Sequence, residues 1–83
     1  MDENNDGRKT VTVRIKNMFE ARELCHIVSQ HHYDVDLRQE RYVVDAKSIL
    51  GILSLNMAKP IFMDIYGCED NSLTDALDKF LEK

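Results

Sequence analysis

Few side chains in these 83 residues could do covalent chemistry, and they fall in three places. The first is Glu20, Ala21, Arg22 and Glu23, where a carboxylate and a guanidinium lie two apart just after Asn17. The second is Lys47-Ser48, a hydroxyl set immediately before the apolar run "ILGILSL". A helix start offers free backbone N–H groups and the positive end of the dipole, so either place can hold an anion if a helix begins there. The third is the set of three histidines, His26, His31 and His32, with Asp34 and Asp36 close by. His26 sits nearly two turns into the expected first helix, on a face away from its start, and His31 and His32 fall at its C-terminal end; adjacent side chains on a helix point apart and no ligand spacing appears, so the pair reads as a solvated helix end and not as a metal site. Cys25 and Cys68 are far apart and lack the CxxC spacing of a redox or zinc motif; both read as reduced thiols. With no nucleophile and base pair, metal motif or phosphate loop, the chain does not read as an independent enzyme, and it calls for no cofactor and no metal.

Composition narrows the partners. Fifteen acidic against 11 basic residues give a net charge of -4, which repels phosphate backbones, and no basic stripe with interleaved aromatics offsets it. Nucleic acid is therefore excluded. No apolar run reaches membrane-spanning length, and "MDENNDGRK" is acidic and polar where a signal peptide is basic and then apolar. A cytoplasmic protein with protein partners is expected, built as one domain, since a chain this short closes a single core.

The elements that must position these residues can be traced along the chain. Residues 1 to 8 have nothing to bury after Met1 and are expected to form a disordered tail, with the domain spanning 9 to 83. "KTVTVRI" alternates with period two, a half-buried strand. From Phe19 the period becomes helical through Ala21, Leu24, Cys25 and Val28, with Asn17 as cap, Glu20 and Glu23 in the first turn and an end near His31 or His32. "YDVDLRQERYVVDA" reads as a hairpin about a polar "RQE" centre. A helix is expected from about Lys47 to Met57, then a strand in "KPIFMDIYG" with Pro60 at its start. A last helix carries Leu73, Ala76, Leu77, Phe80 and Leu81 on one stripe, with Ser72 and Asp75 as a capping box.

The resulting order is β-α-β-β-α-β-α. Three helices cannot cover both faces of so small a sheet, so the fold class expected is α+β, an open-faced β-sandwich: a four-stranded antiparallel sheet with all three helices on one face. Ile49, Leu50, Ile52, Leu53, Leu55 and Met57 run around too much of the middle helix for a single buried stripe, so part of this set is exposed. That patch is either a partner surface or an imperfectly covered edge of the core.

The order of elements, and within it "AKSILGILSLNMAKPIFMDIYG" leading to an amphipathic last helix, resembles the HPr family, the histidine-containing phosphocarriers of the bacterial sugar phosphotransferase system. The likeness covers about Thr10 to Leu81, and its most specific part is Lys47-Ser48 at the head of a short apolar helix. It implies that Ser48 corresponds to the family's regulatory serine, which a serine kinase modifies so that the protein can join a transcriptional regulator in carbon catabolite repression. The resemblance also sets Glu20 at the phosphorylated histidine, Arg22 at an arginine of the family motif and Glu23 at a proline. A glutamate cannot form the phosphoramidate of an imidazole, so loss of histidine phosphorylation is expected, as in the histidine-free, Crh-like members that keep the serine.

Glu20 then has two readings: an acid that suits a helix start, or a fixed negative charge standing where relatives carry a transient phosphate. The leading expectation is a non-enzymatic regulatory or adaptor protein. It would bind the serine kinase, a transcriptional regulator or other phosphotransferase proteins through Ala21, Arg22 and Cys25 of the first helix and Lys47, Ile49, Leu50 and Leu53 around the second. The alternatives are an ordinary phosphocarrier in sugar uptake and a structural module that buries the aliphatic patch in a homodimer; the chain is expected as a monomer or weak homodimer.

Overall fold

The computed structural model describes residues 8–67 and 70–82. Strand β1 (Lys9–Val13) is followed by α1 (Met18–Ser29), the hairpin β2 (Asp34–Gln39) and β3 (Tyr42–Asp45), α2 (Ile49–Leu53), β4 (Ile61–Tyr66), α3 (Ser72–Ala76) and a 3-10 turn, Asp78–Phe80. The strands pair antiparallel in the order β1-β4-β2-β3, and the helices cover one face, giving the expected open-faced sandwich. The expected tail falls on residues outside the described ones except for Arg8, as does Cys68.

Period-two patterning decides which way the sheet faces. Val13, Val35, Leu37, Ile61, Met63 and Ile65 turn toward the helices and meet Ala21, Leu24 and Val28 of α1, Ile52 of α2, and Leu73, Leu77 and Phe80 beyond β4, all buried. Each such aliphatic or aromatic side chain contributes about 1.5–3 kcal/mol by leaving water. The opposite face carries two cross-strand rows fixed by register: Thr12, Phe62, Arg38 and Val43, and Thr10, Asp64, Asp36 and Asp45.

In the second row Asp64 is buried and answered by Arg38, whose Nε and Nη2 donate to its two carboxylate oxygens at 3.0 and 3.2 Å, while Thr10 Oγ1 donates at 2.7 Å. The Arg38 bonds hold the Asp64 carboxyl below its usual range, against burial, which pushes it up. Among the described residues Asp36 has no such partner; burial first, then Asp45, Asp64 and Asp34, push its carboxyl up.

Three helices have bounds that the sequence does not suggest. The first helix stops at Ser29, because Gln30 and His31 bond back to Ile27 and Val28 and the chain then turns into β2. Glu20 lies in its first turn, but Glu23 lies beyond it and pairs with Lys79 at 2.7 Å. The helix expected over 47 to 57 is only Ile49–Leu53, since Gln39 takes up the backbone at Asn56 on both sides, Nε2 donating to Asn56 O and Asn56 N–H donating to Oε1, each at 2.8 Å. These bonds draw the chain away from a helical path and turn Leu55 into the core. The capping box at Ser72 does not form: Asn71 is the N-cap, Ser72 is already helical, and its N–H donates to Asp70 Oδ1 at 3.0 Å. The last helix also breaks after Ala76, so that residues 80–82 can run beside β1, with Arg14 N–H bonded to Phe80 O and Glu82 N–H to Thr12 O, both at 2.8 Å.

Candidate functional site

The start of α1 is built by Asn17, whose extended backbone ends the incoming loop and whose Oδ1 accepts from Glu20 N–H at 2.9 Å. Glu20 answers by accepting from Lys16 N–H at 2.9 Å, one residue before the position that closes a standard capping box. Its carboxylate is thus folded back over the first turn. This is the structural role that an acid at a helix start suits, and it occupies one oxygen that a fixed recognition charge would present outward.

Beyond that turn, Met18, Arg22, Cys25 and Ser29 and the neighbouring series Phe19, Arg22, His26 and Ser29 recur at helical spacing on one side of α1. Met18 and Phe19 are 50% and 74% exposed, too open for core residues. Arg22, Cys25, His26 and Ser29 line a shallow groove of about 350 Å³ whose far wall is Ile49 of α2. Leu50, 78% exposed, and Leu53 leave α2 on the solvent side, while Ile52 is buried. Cys25 is a half-buried free thiol.

Ser48 caps α2, its Oγ accepting from Gly51 N–H at 3.2 Å, and its hydroxyl is half-buried. Gly51 packs closely on β3: a Cβ there would lie 3.1 Å from Val44 Cβ, tight enough that the neighbour would have to give way slightly. Lys47 is half-buried, its backbone N–H donating to Asp45 Oδ1 at 2.9 Å, and it borders a second, acidic cavity of about 480 Å³ shared with Asp34, Asp36, Asp45 and Tyr66.

The candidate residues therefore divide. Arg22, Cys25 and Ile49 come together in the groove between α1 and α2, Leu50 and Leu53 are exposed on α2, and Ser48 and Lys47 lie at its head. Ala21 does not join them: it is fully buried beneath α1, because it lies on the stripe with Leu24 and Val28, and it offers no contact to a partner. His26, read from the sequence as facing away from the helix start, shares the groove with Arg22 one turn before it. Phe19 and Met18 were missed as surface residues, although two apolar residues directly after a capping Asn, ahead of the buried stripe, are the pattern that reveals them.

His31 Nδ1 donates to Ile27 O at 3.0 Å and its ring stacks near Tyr33, with His32 at 4.7 Å from the same ring. They serve the helix end. Among the described residues no three His, Cys, Asp or Glu side chains are placed to hold a metal ion, and no helix is long and apolar enough to cross a membrane. Chemically the α1–α2 face presents an exposed guanidinium and exposed aromatic and aliphatic side chains, with no imidazole on the first turn of α1.

Comparison with protein families matches residues 8–83 to the family described as PTS-HPr, the PTS HPr component phosphorylation site. The chain belongs to the HPr family. Among solved structures it is similar to HPr-C-His from Thermoanaerobacter tengcongensis, at 26% identity over 86% of this chain and 88% of that one, with a TM-score of 0.71. It is also similar to the phosphocarrier protein HPr from Bacillus anthracis str. Ames, at 27% identity over 90% of this chain and 95% of that one, with a TM-score of 0.64. The histidine-containing phosphocarrier protein of Mycoplasma shares the fold, with a TM-score of 0.69 over 87% of this chain and 88% of that one at 13% identity. Sequence comparison with curated proteins gives no match. HPr proteins act with other proteins of the phosphotransferase system and are carriers, not enzymes in themselves.

Proposed function

We propose that this HPr-family chain is a regulatory or adaptor protein that acts by docking and carries no phosphoryl group on residue 20. One observation carries this reading: the side chain at the exposed start of α1 is a glutamate, and it is spent on the backbone of Lys16. An imidazole nitrogen in that place could take a phosphoryl group and share it with the helix start and Arg22, whereas a carboxylate would need activation that no neighbour supplies. What remains of the site is its recognition half, Arg22 with Met18, Phe19, Ile49, Leu50 and Leu53. The partners are other proteins of the phosphotransferase system, its serine kinase or a transcriptional regulator, met in the cytoplasm.

Ser48 is the regulatory residue of this reading. A phosphate on its Oγ would bring about -1.5 to -2 charge beside Lys47 and Leu50, altering the docking face without requiring a change of fold.

The test is the intact mass of the protein after incubation with phosphoenolpyruvate and the first enzyme of the system, and separately with the serine kinase and ATP. The parent is expected to gain no base-stable phosphate from the first mixture, while Glu20→His restores an imidazole to the position and gains one. In the second mixture the parent gains a phosphate that Ser48→Ala does not. A base-stable phosphate on the parent, or a kinase product unaffected by Ser48→Ala, overturns the corresponding half of the proposal.

A further inference from the structure

The two edges of the sheet are not alike. β1 is flanked by residues 80–82, whereas β3 forms the other edge and, among the described residues, no strand pairs with its outer side. Tyr42 and Val43 on that edge are 61% and 59% exposed.

Register determines which of its backbone groups are free. Gln39 pairs with Tyr42 across the turn at Glu40 and Arg41, Leu37 pairs with Val44, and Ala46 N–H donates to Val35 O at 2.9 Å. Antiparallel ladders alternate, so Tyr42, Val44 and Ala46 direct their N–H and C=O groups inward to β2, and Val43 and Asp45 direct theirs outward.

We propose that β3 is a self-pairing edge, joining a second copy of this chain antiparallel about a two-fold axis through Val43. Charge selects that register. It sets Val43 against its own copy, Tyr42 against Val44 of the second copy, and Arg41 against Asp45 of the second copy, so that symmetry makes two opposite-charge pairs. Axes on Tyr42 or Val44 keep the alternation but leave Arg41 and Asp45 without each other.

Among the described residues neither charge makes an ion pair within one chain. Arg41 makes none among the described residues, and Asp45 ends a cross-strand row with Asp36 and Asp64 in which only Asp64 has its own arginine. Arg41 of the second copy extends the row with the cation it lacks. The result is a continuous sheet in the order β1-β4-β2-β3-β3-β2-β4-β1. Charged residues on an edge normally block such pairing; here their opposite signs at equal distances from Val43 permit it with a second copy of the chain. Five residues a side, 41 to 45, make a small contact, so the association is weak and concentration-dependent.

Sedimentation equilibrium of the full chain, taken up to about 1 mM to reach the weak end of affinities, tests this. The parent is expected to dimerise, and Arg41→Asp or Asp45→Arg alone, which set like charges opposite each other twice, to self-associate about tenfold more weakly. An equimolar mixture of the two single variants is expected to recover the parental affinity as a heterodimer. Val43→Pro, which removes an outward N–H and leaves the β2 ladder intact, is expected to be monomeric with an unchanged circular dichroism spectrum. A parent that stays monomeric throughout, single variants that associate as strongly as the parent, or a mixture without heterodimer overturns the proposal.

Discussion

Replacing Arg38 by Gln should cost the fold more than any other single change at a solvent-reachable cation. Its guanidinium supplies two charge-assisted bonds to Asp64 at 3.0 and 3.2 Å and lies 5.1 Å from the centre of the Phe62 ring. Asp64 is almost entirely buried, with 4% of its side chain exposed, so in the variant it keeps Thr10 as a donor and little else. Stripping the partner from a fully buried charge costs about 3–5 kcal/mol. Arg38 itself is 41% exposed, so water enters where it leaves, and the expected cost falls to about 2 kcal/mol. In a domain of this size that lowers the melting temperature by roughly 10 °C.

The sign with pH follows from Asp64. Its folded carboxyl titrates below its unfolded value because of Arg38, so its stabilisation is present above the unfolded value and is lost as pH falls through the folded one. The Arg38→Gln penalty, measured by urea unfolding at a series of pH values, should therefore be near its maximum at neutral pH and shrink through the acidic carboxylate range. Asp36 behaves in the opposite sense: its folded carboxyl is raised, so its contribution is greatest below the unfolded value and is lost as pH rises through the raised one. Adding Asp36→Asn should lessen the Arg38→Gln penalty at neutral pH by removing the acid nearest the orphaned Asp64. A penalty below about 0.5 kcal/mol at neutral pH, or one that does not change on acidification, would refute the electrostatic account.

Asn17→Ala removes the acceptor for Glu20 N–H and should destabilise the protein by about 1 kcal/mol in chemical denaturation, with earlier hydrogen exchange in the first turn of α1. Gln39→Met leaves the Asn56 N–H and C=O without their 2.8 Å partners and should cost about 2–3 kcal/mol, with the Asn56 amide losing protection first. Phe19→Ser should leave the unfolding midpoint within about 0.5 kcal/mol of the parent, as expected for an exposed side chain, while weakening capture by a docking partner in calorimetry.

Alternation in "KTVTVRI" and helical spacing through Ala21, Leu24 and Val28 made β1 and α1 legible, because one buried face imposes one period. The short α2 was not legible: "ILGILSLNM" keeps apolar residues coming up to Met57, broken only by Ser54 and Asn56, and its end is set by Gln39, which lies seventeen residues before Asn56. Ser72 looked like a cap because it precedes Leu73 and is followed three residues later by Asp75; the cap position goes instead to Asn71, and Asp70 takes up the Ser72 N–H. At the candidate site, residue types revealed Glu20, Arg22 and Ser48, and the stripe with Leu24 and Val28 marks Ala21 as buried, but the exposure of Phe19 depends on how α1 is rotated against the sheet. The bond from Lys16 to Glu20 was equally hidden, since it depends on the path of the loop entering the helix.

The strip formed by residues 80–82 against Thr12 and Arg14 also bears on how the chain is made. These bonds join positions almost seventy residues apart, and β1 meets its other neighbour, β4, only after about fifty have followed it. A growing chain on the ribosome can close the β2–β3 hairpin and wind α1 early, but β1 must wait with both flanks bare until β4 and then residue 82 emerge. During that interval "TVTV" is the segment on which holding chaperones would be found.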